Sequence, residues 1–108
     1  MTPWIILAAA GLFEIGWPLG FKLAQTAPAW RIPCIALSVL SMGLSGWLLF
    51  LAQKQIPIGT AYAVWTGIGA AGTFLLGVAF FGDALNWGRV AGLLLIVAGV
   101  TLLKTMTP

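Results

Sequence analysis

A single carboxylate interrupts the first long apolar run of this 108-residue chain: Glu14, ten positions after Trp4. If the run is helical, a rise of about 1.5 Å per residue puts Glu14 about 15 Å along the axis, near the middle of a hydrocarbon core about 30 Å thick. An acid at that depth costs at least about 2.5–3.5 kcal/mol, and intramembrane carboxylates mark proton relays and ion paths. Removal from water favours the neutral acid, whereas a bound cation favours the carboxylate. One such side chain can hold either a proton or a cation, which is the minimum requirement for exchanging one for the other. A purely structural role, a neutral Glu bonded to a neighbouring helix, would be served as well by Gln.

Gly11, Trp17 and Pro18 lie at i−3, i+3 and i+4 from Glu14 and share its face. Gly11 leaves room for a partner, and Trp17 offers an indole N–H and a π-face. Pro18 has no N–H to donate to the Glu14 carbonyl, so a kink is expected there. Further along, Ser38, Ser41 and Ser45 step by three and four and form one polar stripe. Such hydroxyls join helices or orient a nearby carboxylate. Tyr62, Trp65, Thr66 and Gly69 lie at i, i+3, i+4 and i+7, so an aromatic wall that suits a cation shares a face with a flexible point at Gly67 and Gly69. The same small residues also permit close helix approach. Gly92 and Gly99, seven apart, read as a packing face for self-association.

The elements that carry these residues follow from composition. The chain is 61% hydrophobic and only 6% charged, with mean hydropathy +1.08, against about 25% charged in a soluble domain. A soluble fold of this size would bury only about 60–65% of its surface, and what remained would be apolar. A soluble enzyme, a nucleic-acid module and a disordered tail are excluded. The five basic residues, Lys22, Arg31, Lys54, Arg89 and Lys104, are scattered singly, so no nucleic-acid partner is expected. One cysteine (Cys34) and no histidine leave no intrachain disulfide and no Cys/His metal site, and no cofactor is expected. The apolar N-terminus lacks a basic leader and a small-residue cleavage motif, so it reads as retained.

The fold class is therefore an all-α membrane protein. Four apolar segments are long enough to span, at about 4–23, 32–52, 58–81 and 87–103, and form one transmembrane domain over residues 1–108. Pro28, Pro57 and Gly82 punctuate the connectors, and Trp4, Trp30 and Trp87 lie near segment ends, where an interfacial belt would put them. Short connectors make neighbouring helices antiparallel, so any function lies inside the bilayer. Lys54 and Lys104 fall on the side of the N-terminus, with Lys22, Arg31 and Arg89 opposite. Two against three is almost no bias for the positive-inside rule. Either a chain with few charges gives a noisy count, or it inserts in both orientations and pairs as an antiparallel homodimer. Four helices enclose little volume, which favours the pair.

These residues resemble the small multidrug resistance family, whose members have four helices, one embedded Glu in the first, and a Pro-x-Gly-x-Ala-Tyr-Ala-x-Trp run opening the third. Here that run reads Pro57, Gly59, Ala61, Tyr62, Ala63 and Trp65, and the resemblance covers essentially the whole chain. The guanidinium-exporter subtype is similar further: Glu14 with Trp17, Gly20 with Lys22, Trp65 to Ala70, and Ser45. The quaternary-ammonium subtype usually has Tyr where this chain has Met42. Three features depart from the subtype: Pro18 in place of the usual Ala, Phe21 in place of Leu, and a longer first connector at Gln25 to Trp30.

The resemblance implies an antiparallel, dual-topology homodimer in the bacterial inner membrane, with both Glu14 carboxylates facing one path. It also implies proton-coupled export of guanidinium or small substituted guanidinium ions by alternating access. Pocket positions would be Gly11, Trp17, Pro18, Ser41, Met42, Ser45, Tyr62, Trp65 and Thr66, with Trp17 and Ser45 holding the carboxylates by hydrogen bonds when substrate is absent. An exporter of broader quaternary-ammonium range is the alternative. A non-transporting membrane subunit is a third reading, which leaves Glu14 unexplained.

Overall fold

A computed structural model describes all 108 residues. Four helices follow in order: α1 (Thr2–Thr26), α2 (Arg31–Ala52), α3 (Ile58–Phe80) and α4 (Trp87–Met106), with a single 3₁₀ turn at Pro28–Trp30 before α2. Each has the length and composition to cross a bilayer. The chain is thus a multi-pass helical membrane protein. The helices extend past the apolar segments at four of the eight ends, and α3 stops one residue short of position 81.

Local chemistry explains where the helices begin and end. Pro3 occupies the first turn of α1, where its missing N–H is not needed. The Asn86 side chain caps α4 by accepting from the Arg89 N–H at 3.0 Å. Gly82, at φ +71°, reverses the chain after α3 in a conformation that other residues rarely take. Pro18 lies inside α1, and the helix runs through it from Thr2 to Thr26.

α1 is the central element. It packs most extensively on α2 and then on α3, whereas the backbone of α4 approaches that of α3 alone. The α1–α2 seam is a row of backbone carbonyls and small residues filled by serines. The Ser38 hydroxyl donates to the Trp17 carbonyl at 2.7 Å, and the Ser45 hydroxyl donates to the Ala10 carbonyl at 2.7 Å. In a bilayer these bonds join helices without a hydrophobic driving force between them. A small apolar cluster of Leu7, Ala52, Ile56, Ala61 and Val64 closes the end of the bundle that carries the N-terminus. Only 15 of 108 residues are buried, so most of the apolar surface must meet lipid or another protein chain. α4 contributes none of the buried residues.

The ends of the helices confirm the alternation. Lys104 near the end of α4 lies 5.2 Å from the centre of the Trp4 ring. Thr60 at the start of α3 and Thr107 after α4 are 3.4 Å apart, hydroxyl to hydroxyl. Lys54 and Lys104 therefore share the N-terminal face of the bundle.

Gly20 tests the seam. A Cβ at Gly20 would collide with the Ser38 hydroxyl and lie 2.7 Å from the Cys34 carbonyl, which is backbone and cannot turn aside. Gly20→Ala is expected to destabilise the bundle by about 1–3 kcal/mol, read as equilibrium unfolding in mild detergent. Gly43→Ala is the control, since a Cβ there meets nothing within 4 Å.

Candidate functional site

Glu14 is half-buried on α1 and faces α3. Its side chain lies against the backbone of Gly69, where a Cβ would come within 2.5 Å of Glu14 Cγ. Gly69 therefore makes room for the acid, and any larger residue would push it out of the α1–α3 interface. The Trp17 indole Nε1 donates to Glu14 Oε1 at 2.5 Å. Since Trp17 is three residues on, one helix presents both groups on one face. The Trp17 ring meets Phe21 edge to face, with centroids 5.8 Å apart and planes at 77°, which holds the indole in place. Phe21 lies outside the set of positions picked out around Glu14; its signals in the sequence are the i+4 spacing from Trp17 and its departure from the usual Leu.

Trp65 makes a second node. Its Nε1 donates to the Ser45 hydroxyl at 2.8 Å, and that hydroxyl donates onward to Ala10. Ser45 thereby ties α1, α2 and α3 together and satisfies a Trp N–H inside the bundle. Within the chain this node is separate from the carboxylate, whose side-chain bond comes from Trp17. Tyr62 tilts against Trp65 with centroids 5.5 Å apart, and the residue is 57% exposed. Thr66 and Met42 are exposed as well. Tyr62 and Thr66 line a groove against Gly99 and Leu103 of α4, whereas Met42 is exposed on α2.

The remaining positions divide between helix packing and open surface. The space beside Gly11 is occupied by Ile68, and the space beside Gly67 by Val100 of α4. Ser41 is buried against Gly16. Gly92 and Gly99 of α4 border open space, with nothing within 4 Å of a Cβ at either. Pro18 lines a cavity in the α1–α3 cleft, together with Lys22 and Asp83. No three acid, cysteine or histidine side chains gather as a metal site would need.

Fold and site together define a class: a small polytopic membrane protein built around one intramembrane carboxylate, which is held by an indole and packed on a glycine. Comparison with known proteins makes this specific. The family model for small multidrug resistance proteins matches residues 2–96, and the chain belongs to that family. It is 45% identical over 104 residues to the guanidinium exporter of Escherichia coli (strain K12), covering 96% of this chain and 97% of that protein. It is 44% identical over 101 residues to the guanidinium exporter of Yersinia pestis, covering 94% and 95%. The guanidinium exporter of Salmonella typhimurium is 43% identical over 105 residues, covering 94% of each.

Proposed function

We propose that this protein exports guanidinium or small substituted guanidinium ions in exchange for protons, working as an antiparallel dual-topology homodimer in the bacterial inner membrane. The observation that carries this reading is the Glu14 carboxylate on a lipid-spanning helix, met by one indole N–H and by no cation of the chain. The bacterial guanidinium exporters that it resembles support the choice of substrate. No catalysed reaction is involved.

Guanidinium is planar and presents paired N–H donors, which a carboxylate accepts in bidentate fashion. In binding, it displaces the Trp17 N–H from Glu14 and takes its place. A proton on Glu14 removes the charge that holds the cation, so proton and cation compete for one group. Each crossing of the membrane then carries one or the other, and alternation of the dimer between two openings gives antiport. Gly69 lets the acid sit at the α1–α3 contact, and with Gly67 it is the point where α3 flexes. Gly11 and Pro18 shape α1 around the acid, while Ser41 and Ser45 fix α2 against it. In the dimer, Met42, Tyr62, Trp65 and Thr66 complete the substrate path, and the uncovered Gly92–Gly99 face of α4 packs on the second copy.

The Tyr62–Trp65 pair supports a second reading, an exporter of quaternary ammonium ions, because aromatic faces attract such cations without hydrogen bonds. Proteoliposomes with an internal pH dye separate the two. Guanidinium is expected to drive proton counterflow through the purified protein, and a tetraalkylammonium ion of similar charge is expected to drive little. The reverse order would establish the second reading. Absence of proton movement with either cation would overturn antiport.

A further inference from the structure

The α1–α3 contact does not end at Glu14. Below it, toward the connector between α3 and α4, the helices part around a cavity of about 240 Å³ lined by Pro18 and Lys22 of α1, Thr73 and Gly77 of α3, and Phe81 and Asp83 after it. A water's share of liquid volume is about 30 Å³, so there is room for several waters. The register on both helices leads from the acid to this space. On α1, Glu14, Pro18 and Lys22 follow at steps of four. On α3, Gly69, Thr73 and Gly77 do the same, and Glu14 packs on Gly69. The cavity thus starts one helical turn beyond Glu14 and ends among charged groups at the end of the bundle.

Asp83 is the only other acid in the chain, and its placement is unusual. Its backbone N–H donates to the Gly77 carbonyl at 3.0 Å. Its carboxylate folds back onto Gly77, so a Cβ at that position would collide with Oδ2. This sets a negative group against the negative end of the α3 dipole, which is the unfavourable end for an acid. Two glycines make the placement possible: Gly77 by lacking a Cβ, and Gly82 by its left-handed backbone. The charged groups at this mouth are Asp83 and, from α1, Lys22. From α4, Arg89 lies over the Phe74 ring at 4.9 Å.

Resting on the antiport reading above, we propose that this cleft is a hydrated proton route between the membrane surface and Glu14, distinct from the path of the cation. Asp83 takes a proton from water at the mouth and passes it to water in the cavity. The Thr73 hydroxyl orients that water, and Glu14 accepts the proton as its cation leaves; after the conformational change the proton leaves Glu14 on the opposite face, to water in the opening through which the next cation enters. No bond other than O–H is made or broken. Lys22 carries the same sign of charge as the transported ion and disfavours the cleft as a cation path.

Two fluxes through the same proteoliposomes test this. Proton-coupled guanidinium exchange requires the route, whereas guanidinium self-exchange at equal pH on both sides does not. Asp83→Asn and Thr73→Val are each expected to slow proton movement at least about tenfold, the loss of a positioned proton-transfer group, and to leave self-exchange unchanged. Thr73→Ser, which keeps the hydroxyl, is expected to retain the wild-type rate. Unchanged proton movement in both disabling variants would overturn the proposal. An equal fall in both fluxes would overturn it too, by assigning the residues to folding or to the conformational step. A wild-type protein that self-exchanges guanidinium without moving protons would instead bring down antiport itself, and the proton route with it.

Discussion

Glu14→Gln is expected to abolish proton-coupled exchange, to below about one hundredth of the wild-type rate, because the variant loses the group that must hold the proton or the cation. The structure makes this a clean test. Gln is nearly isosteric, so its Cγ still rests on Gly69, and its amide oxygen still accepts from the Trp17 indole. Neither helix contact that surrounds the acid is disturbed, and the bundle is expected to keep its stability in detergent. What disappears is the choice between a charged and a neutral form. A neutral amide neither takes up a proton near neutral pH nor attracts guanidinium against its hydration. Exchange assays in proteoliposomes, with insertion checked by quantifying reconstituted protein, decide the matter. Retained proton-coupled flux would place the coupling group elsewhere. A variant that failed to fold would instead make Glu14 a structural residue, as the third reading of the sequence requires.

The four helices were legible because each is a nearly unbroken apolar run of spanning length, and in hydrocarbon only a helix satisfies the backbone within a single segment. Their ends were less so. Apolar composition stops at the edge of the hydrocarbon, whereas hydrogen bonding continues, so α1 runs on through Ala24 to Thr26 and α4 through Lys104 to Met106. Pairs within one helix could also be read. The i+3 spacing of Glu14 and Trp17 becomes a hydrogen bond, and that of Tyr62 and Trp65 becomes a ring contact.

Contacts between helices were not legible to the same degree. The stripe of Ser38, Ser41 and Ser45 identifies a polar face on α2 but not what α1 turns toward it. That depends on rotation about the helix axis, which periodicity leaves open. In the structure the partners of Ser38 and Ser45 include the Trp17 and Ala10 carbonyls. A glycine likewise announces that something comes close, without saying what. The occupant is Ile68 at Gly11, Val100 at Gly67 and the acid itself at Gly69. The cleft near Asp83 brings together residues about sixty positions apart in sequence, beyond the reach of any local spacing rule.

Locking the orientation of the chain is expected to have the second large effect. Adding two or three lysines at the N-terminus or in the connector at 53–56 places new charge on the face that already holds Lys54 and Lys104, opposite Lys22, Arg31 and Arg89. The bias of one residue then reverses, and the enlarged N-terminal face should stay in the cytoplasm. If the working unit is the proposed antiparallel dimer, the locked chain lacks a partner of opposite orientation and should lose nearly all transport. Co-expression with a chain locked the other way, by lysines in the 25–30 connector, should restore it. The single chain leaves surfaces that a second copy would cover. α4 buries none of its residues, and open space borders both Gly92 and Gly99. Tyr62 is exposed as well. A site completed across a two-fold axis in the membrane plane would cover both surfaces and set the two Glu14 carboxylates facing each other. Guanidinium resistance of cells expressing each locked form, alone and together, gives the answer. Full resistance from one locked form alone would rule out the antiparallel pair and require a parallel assembly or an active single chain.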